Sequence, residues 1–174
     1  YDLDWTTLGE YLESMERRGI APNIASFVGA TTARVHVLGY ENRLPNAEEM
    51  ERMKALVRAA MEEGALGVGS SLIYAPANYS SAEELIELCK VAGEYGGMYI
   101  THMRSEGDKF LEAMDEAIRI GKEGGVAVEI YHLKASGLRN WPKMDKAIAK
   151  IDSVRAAGQD VQANMYLYPA GGNS

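Results

Sequence analysis

Polar and apolar positions along this chain repeat one unit five times. Each unit is an amphipathic stretch of helical period, a glycine that stops it, and a short run apolar on both faces. Residues 5–18 stop at Gly19 and lead into 23–28, and residues 51–63 stop at Gly64 and lead into 65–69. Residues 81–95 stop at Gly96-Gly97 before 98–101, 109–123 at Gly124-Gly125 before 126–131, and 143–157 at Gly158 before 161–166. Glycine after a last helical turn takes the left-handed conformation that closes it. Asn46 with Glu49 and Ser81 with Glu84 have the spacing of capping boxes. Phe110, Leu111, Met114, Ala117, Ile118 and Gly121 recur at three- and four-residue steps, which makes one apolar helix face. A further short strand is expected at 34–37, where His36 alternates with valines in a structural setting.

Strands that are apolar on both faces and alternate with helices make parallel βαβ units. The glycine stops at 64, 97, 125 and 158 are 33, 28 and 33 residues apart, a cadence that suits a doubly wound sheet or a (βα)8 barrel. No G-x-G-x-x-G follows the first strand, which favours the barrel. A complete barrel takes roughly 250 residues. The expected fold is therefore α/β, a partial (βα)8 barrel of the TIM type with about five βα units, over residues 1–174 as one domain. The chain opens at Tyr1 without an initiator Met and stops at Ser174 just after an apolar run, as an internal piece of a longer polypeptide would.

In parallel α/β folds, reactive groups sit where strands end. The run 98–101 ends on His102 and the run 126–131 on His132, so two of the three histidines hold equivalent places one repeat, or 30 residues, apart. Neighbouring strands lie about 4.8 Å apart, so two such imidazoles can converge on one cation. Neutral imidazole suits zinc. The competing reading is that each is a core or rim histidine bonded to a neighbouring carbonyl. Tyr74 is either a hydroxyl at the mouth or an aromatic cover on the rim. Lys134 either pairs with an anionic substrate or is solvated. Arg104, Glu106 and Asp108 either orient His102 or favour a helix N-terminus. Tyr166 closes the last strand.

Composition narrows the partners. With 18 basic and 25 acidic residues the net charge is −7, which lacks the clustered positive charge that grips nucleic acid. No apolar run reaches the roughly 18 residues of a membrane span. The single cysteine, Cys89, excludes an internal disulfide and a cysteine metal cage, and reads as a buried thiol. No basic-then-apolar leader opens the given residues. The compartment stays open between cytoplasm and periplasm, with the cytoplasm as the expectation.

Four segments carry a resemblance across essentially the whole chain: Glu62-Glu63-Gly64-Ala65-Leu66-Gly67, Leu72-Ile73-Tyr74-Ala75-Pro76, Thr101-His102-Met103-Arg104-Ser105-Glu106-Gly107-Asp108 and His132-Leu133-Lys134-Ala135-Ser136-Gly137. The chain resembles the N-acyl-D-amino-acid deacylases of the amidohydrolase superfamily. The resemblance implies a zinc-dependent (βα)8 barrel that hydrolyses the amide of an N-acyl-D-amino acid. It implies His102 and His132 as zinc ligands, Lys134 and Tyr74 as holders of the substrate carboxylate, and Tyr166 as a pocket residue. The family's His-x-His, its further upstream ligand and its last-strand aspartate have no counterpart here, so no catalytic acid or base is expected within these residues. Asn164 stands where the family has aspartate, and Tyr131 where serine is common.

The chain alone is expected to be inactive and to hold zinc weakly or leave the site vacant. An open barrel is expected to associate with a second copy. Two rivals remain at this level: a metal-free barrel enzyme using the histidines as acid and base, and a non-catalytic or degenerate barrel module.

Overall fold

The computed structural model describes residues 3–168. The features at Tyr1 and at 169–174 lie outside the described residues. Five strands, β1 (Val28–Gly29), β2 (Gly67–Ser71), β3 (Met98–His102), β4 (Val128–Ile130) and β5 (Val161–Ala163), form one parallel sheet whose spatial order is the chain order. Helices α1 (Leu8–Arg18), α2 (Ala30–Leu38), α3 (Ala47–Glu62), α4 (Ala82–Glu94), α5 (Phe110–Gly124) and α6 (Met144–Ala156) accompany it, with short 3-10 turns at Ala77–Tyr79 and Leu138–Lys143. From α2 to α6 each helix packs on the next, while α4 lies against β2 and β3, and α5 against β3 and β4. A doubly wound sheet would reverse its strand order and divide its helices between two faces. Neither happens here, so the sheet is a segment of barrel wall.

The register explains the two faces. Val68, Tyr99, Val128 and Val161 pair in one row across β2 to β5, and all four are fully buried in the core beneath the helices. The next row, Gly69, Ile100, Glu129 and Gln162, faces the other way and turns polar toward β5. His102 shares the face of Ile100, since side chains alternate along a strand.

Helix ends follow local chemistry. Thr7 with Glu10 and Asn46 with Glu49 form complete capping boxes, and Gly125 closes α5 at φ 69°. At α4 the expected box is half made. Ser81 accepts the Glu84 N–H at 3.1 Å, but the Glu84 carboxylate turns inward to Arg34 at 2.5 Å and to the Ser80 hydroxyl at 2.8 Å.

The expected strand at 34–37 is instead part of helix α2. Ala30, Ala33, Arg34 and Leu38 are its buried positions, a helical spacing that burial imposes over the strand preference of Val35 and Val37. The first and last strands are also shorter than the apolar runs suggest. Only Val28–Gly29 and Val161–Ala163 join the ladder, at the sheet's edges. No described helix is long and apolar enough to cross a membrane.

Candidate metal centre

β3 carries His102 to the carboxyl edge of the sheet. β4 ends at Ile130, and His132 follows two residues later. On strict alternation His132 would share the helix-facing side of Ile130. It does not, because its backbone is left-handed, with φ 36°, the single non-glycine residue of positive φ among the described residues. Histidine is among the side chains found more often than most in that region. The turn brings the two imidazoles edge to face, their centroids 4.7 Å apart.

Glu106 lies beneath both rings. Its Oε1 is 3.7 Å from His102 Nε2, 3.2 Å from His132 Nδ1 and 2.6 Å from the Lys134 ammonium. Ligand atoms of His102, Glu106 and His132 all lie within 4.8 Å of one another, so the three can hold a metal ion. Two observations fit that group. His102 Nε2 is buried with no hydrogen-bond partner, although buried polar atoms are usually paired. Lys134 Nζ, which can only donate, sits 2.8 Å from His132 Nδ1, so that nitrogen presents its lone pair to a positive charge. Two imidazoles and a carboxylate are a donor set suited to zinc. Burial holds His102 below the ordinary imidazole value; Glu106 opposes this, while His132 and Lys134 reinforce it. A neutral ring is the form that ligates.

The other expected site residues line two cavities beside this cluster. The Tyr74 ring lies 5.3 Å from that of His102, and Tyr131 stacks on His132 at 5.8 Å. Both tyrosines line a cavity of about 350 Å³ with Ser70, Ser71 and Ile100. Lys134 and Tyr166 line a second cavity of about 430 Å³ with Leu138, Trp141 and Met165. There the ammonium stands 5.5 Å above the Tyr166 ring.

Arg104 is not placed to orient His102. Its guanidinium grips Glu116 on α5 through two nitrogens at 2.9 Å and donates to the carbonyls of Asn78 and Ser80, each at 2.8 Å. A carboxylate and two carbonyls are a fuller set of acceptors than one ring nitrogen. Asp108 likewise pairs with Arg139 at 2.6 Å, away from the histidines. Glu106, expected to reach His102, reaches His132 and Lys134 as well.

Sequence reasoning missed what holds His132 in place. The Asn164 Oδ1 accepts the His132 N–H at 2.8 Å, and Asn164 Nδ2 donates to Glu129 Oε1 at 2.7 Å. The departure from aspartate at 164 was the signal available for it. Cys89 is fully buried in α4, and burial pushes its thiol up, which keeps it protonated and inert.

A sequential parallel βα wall with an imidazole–carboxylate cluster at the carboxyl ends of adjacent strands is a segment of barrel that carries a candidate metal site. No protein-family model matches the chain. A D-aminoacylase of Alcaligenes xylosoxydans xylosoxydans is 36% identical over 162 residues, which cover 93% of this chain and 33% of that protein. Among solved structures, a D-aminoacylase described as defining a novel subset of amidohydrolases superposes with a TM-score of 0.90 at 38% identity, over 95% of this chain and 35% of that one. An N-acyl-D-glutamate deacylase from Bordetella bronchiseptica, complexed with zinc and a phosphonate inhibitor, superposes at 0.89 with 30% identity, over 94% of this chain and 34% of that one. The chain is a homologue of the N-acyl-D-amino-acid deacylases, and it spans about a third of the length of the relatives it matches.

Proposed function

We propose that this chain is the metal-bearing part of a deacylase that hydrolyses the amide of N-acyl-D-amino acids, with residues 1–174 forming one partial barrel domain. The observation that carries the reading is the unpartnered His102 Nε2, buried beside Glu106 and His132 at matched strand ends. In this reading His102 and His132 hold zinc, and Glu106 sits close enough to join them or to fix their rings. When bound, zinc supplies a polarised acyl carbonyl and a water acidic enough to ionise near neutrality.

Around that centre the chain's residues bind and orient. Tyr74 beside His102 and Lys134 beside His132 are assigned to the substrate carboxylate, with Tyr166 as pocket wall. Lys134 is held at the edge of the cluster by Glu106, which keeps a cation facing whatever enters there. Arg104 belongs to the scaffold, since Glu116 and two carbonyls occupy it. The acid and base for the leaving amine are assigned to other parts of the enzyme, so the 174 residues alone would not turn over substrate. Self-association through the open sheet edges and a cytoplasmic location belong to the same proposal.

The test is zinc binding to this chain, followed by hydrolysis of N-acetyl-D-amino acids by the full-length enzyme that carries it. His102→Asn and His132→Asn are each expected to weaken zinc by about 100-fold and to abolish turnover, since three or four protein ligands are the norm at such sites. Undiminished zinc affinity in both variants, or turnover by the isolated chain, would overturn the reading.

A further inference from the structure

Asn164 follows β5, on the strand neighbouring that of His132, and four hydrogen bonds join it to the His132 segment and Glu129. Its backbone N–H donates to the Ile130 carbonyl at 3.1 Å, and its carbonyl accepts the Leu133 N–H at 2.8 Å. Its side chain spans the gap between them: Oδ1 takes the His132 N–H at 2.8 Å, and Nδ2 donates to Glu129 Oε1 at 2.7 Å. The N–H so captured belongs to the residue whose left-handed backbone, φ 36°, turns its imidazole to the cluster. A backbone in that region persists when its surroundings over-determine it.

We propose that Asn164 and Glu129 form a positioning pair that fixes the left-handed turn at His132 and so sets the aim of its ring. The amide is the one side-chain type of this size that can accept from His132 and donate to Glu129 together. Aspartate keeps the first bond but sets two carboxylates against each other. The assignment rests on the zinc reading for its consequence, and on hydrogen-bond geometry alone for its cause. Outer partners of a ligating histidine typically change metal affinity by about 10–100-fold.

Zn2+ affinity of the full chain and the imidazole 15N shifts of His132 are the two readouts. Asn164→Ala and Asn164→Asp are each expected to weaken zinc by about 10-fold and to move the His132 signals, leaving those of His36 in place. In Asn164→Asp with Glu129→Gln, donor and acceptor trade places: the glutamine amide donates to the new carboxylate, which still accepts the His132 N–H. That double variant is expected to recover zinc affinity and shifts, which a merely structural loss would not do. Unchanged His132 shifts in the single variants, or no recovery in the double, would overturn the pairing. If the wild-type chain binds no zinc, the functional reading fails, and the shifts still decide the pairing.

Discussion

Glu49 closes the capping box of α3 while its carboxylate holds both terminal nitrogens of Arg43, at 2.7 and 2.6 Å. The Arg43 bonds, followed by the Asn46 N–H, lower its pKa from 4.5 to about 2. The unfolded chain therefore binds this proton more readily than the folded one. The contribution is complete above pH 4.5 and is lost as pH falls toward 2. Urea midpoints of the wild type and of Glu49→Gln are expected to differ at neutral pH and to converge across that acid window. A gap that persists at pH 2 would contradict it. Single residues were legible in the sequence to different depths. His102 and His132 stood out by their matched places at strand ends. The left-handed turn that makes them converge did not, because no residue type announces it and the bond that holds it comes from Asn164, 32 residues on. Sequence spacing leaves the role of Arg104 open, because its partner Glu116 becomes close only when α5 packs.

At the scale of elements, α5 shows how tightly a helix must sit on its strands. A Cβ at Gly121 would stand 2.0 Å from Val128 Cγ2 and 3.1 Å from the Val126 carbonyl. Val128 is fully buried and has nowhere to move. Gly121→Ala is expected to destabilise the chain by about 1–3 kcal/mol despite alanine's better helix propensity, as overpacked cores do. Chemical denaturation reads the change, and adding Val128→Ala should return part of it. The helices that sequence made legible share a trait: α1 and α3 to α6 carry an apolar face and a glycine stop of their own. The one it misplaced, α2, has no such face. Its buried side includes Arg34, which pairs with Glu84 fifty residues away and donates to the carbonyls of Glu41 and Arg43. That partnership is long-range, and local periodicity carries no trace of it.

For the molecule as a whole, two buried or half-buried arginines staple successive units. Arg34 joins α2 and the loop behind it to α4, and Arg104 joins the β3 loop to α5 and to the turn before α4. Both clamps act between near neighbours, as does the sheet itself, since strand order follows chain order. Ladder length is graded across it: β2 and β3 have five residues each, β1 two and β5 three. Opening free energies vary within a protein according to how many bonds and contacts must yield. In heavy water, deuterium is therefore expected to enter first at the amides of the edge strands, Val28–Gly29 and Val161–Ala163, and last at those of β2 and β3. Mass-resolved exchange would show this as a protection gradient running outward from the middle strands. Equal uptake by all five strands would mean that the wall opens as a single panel.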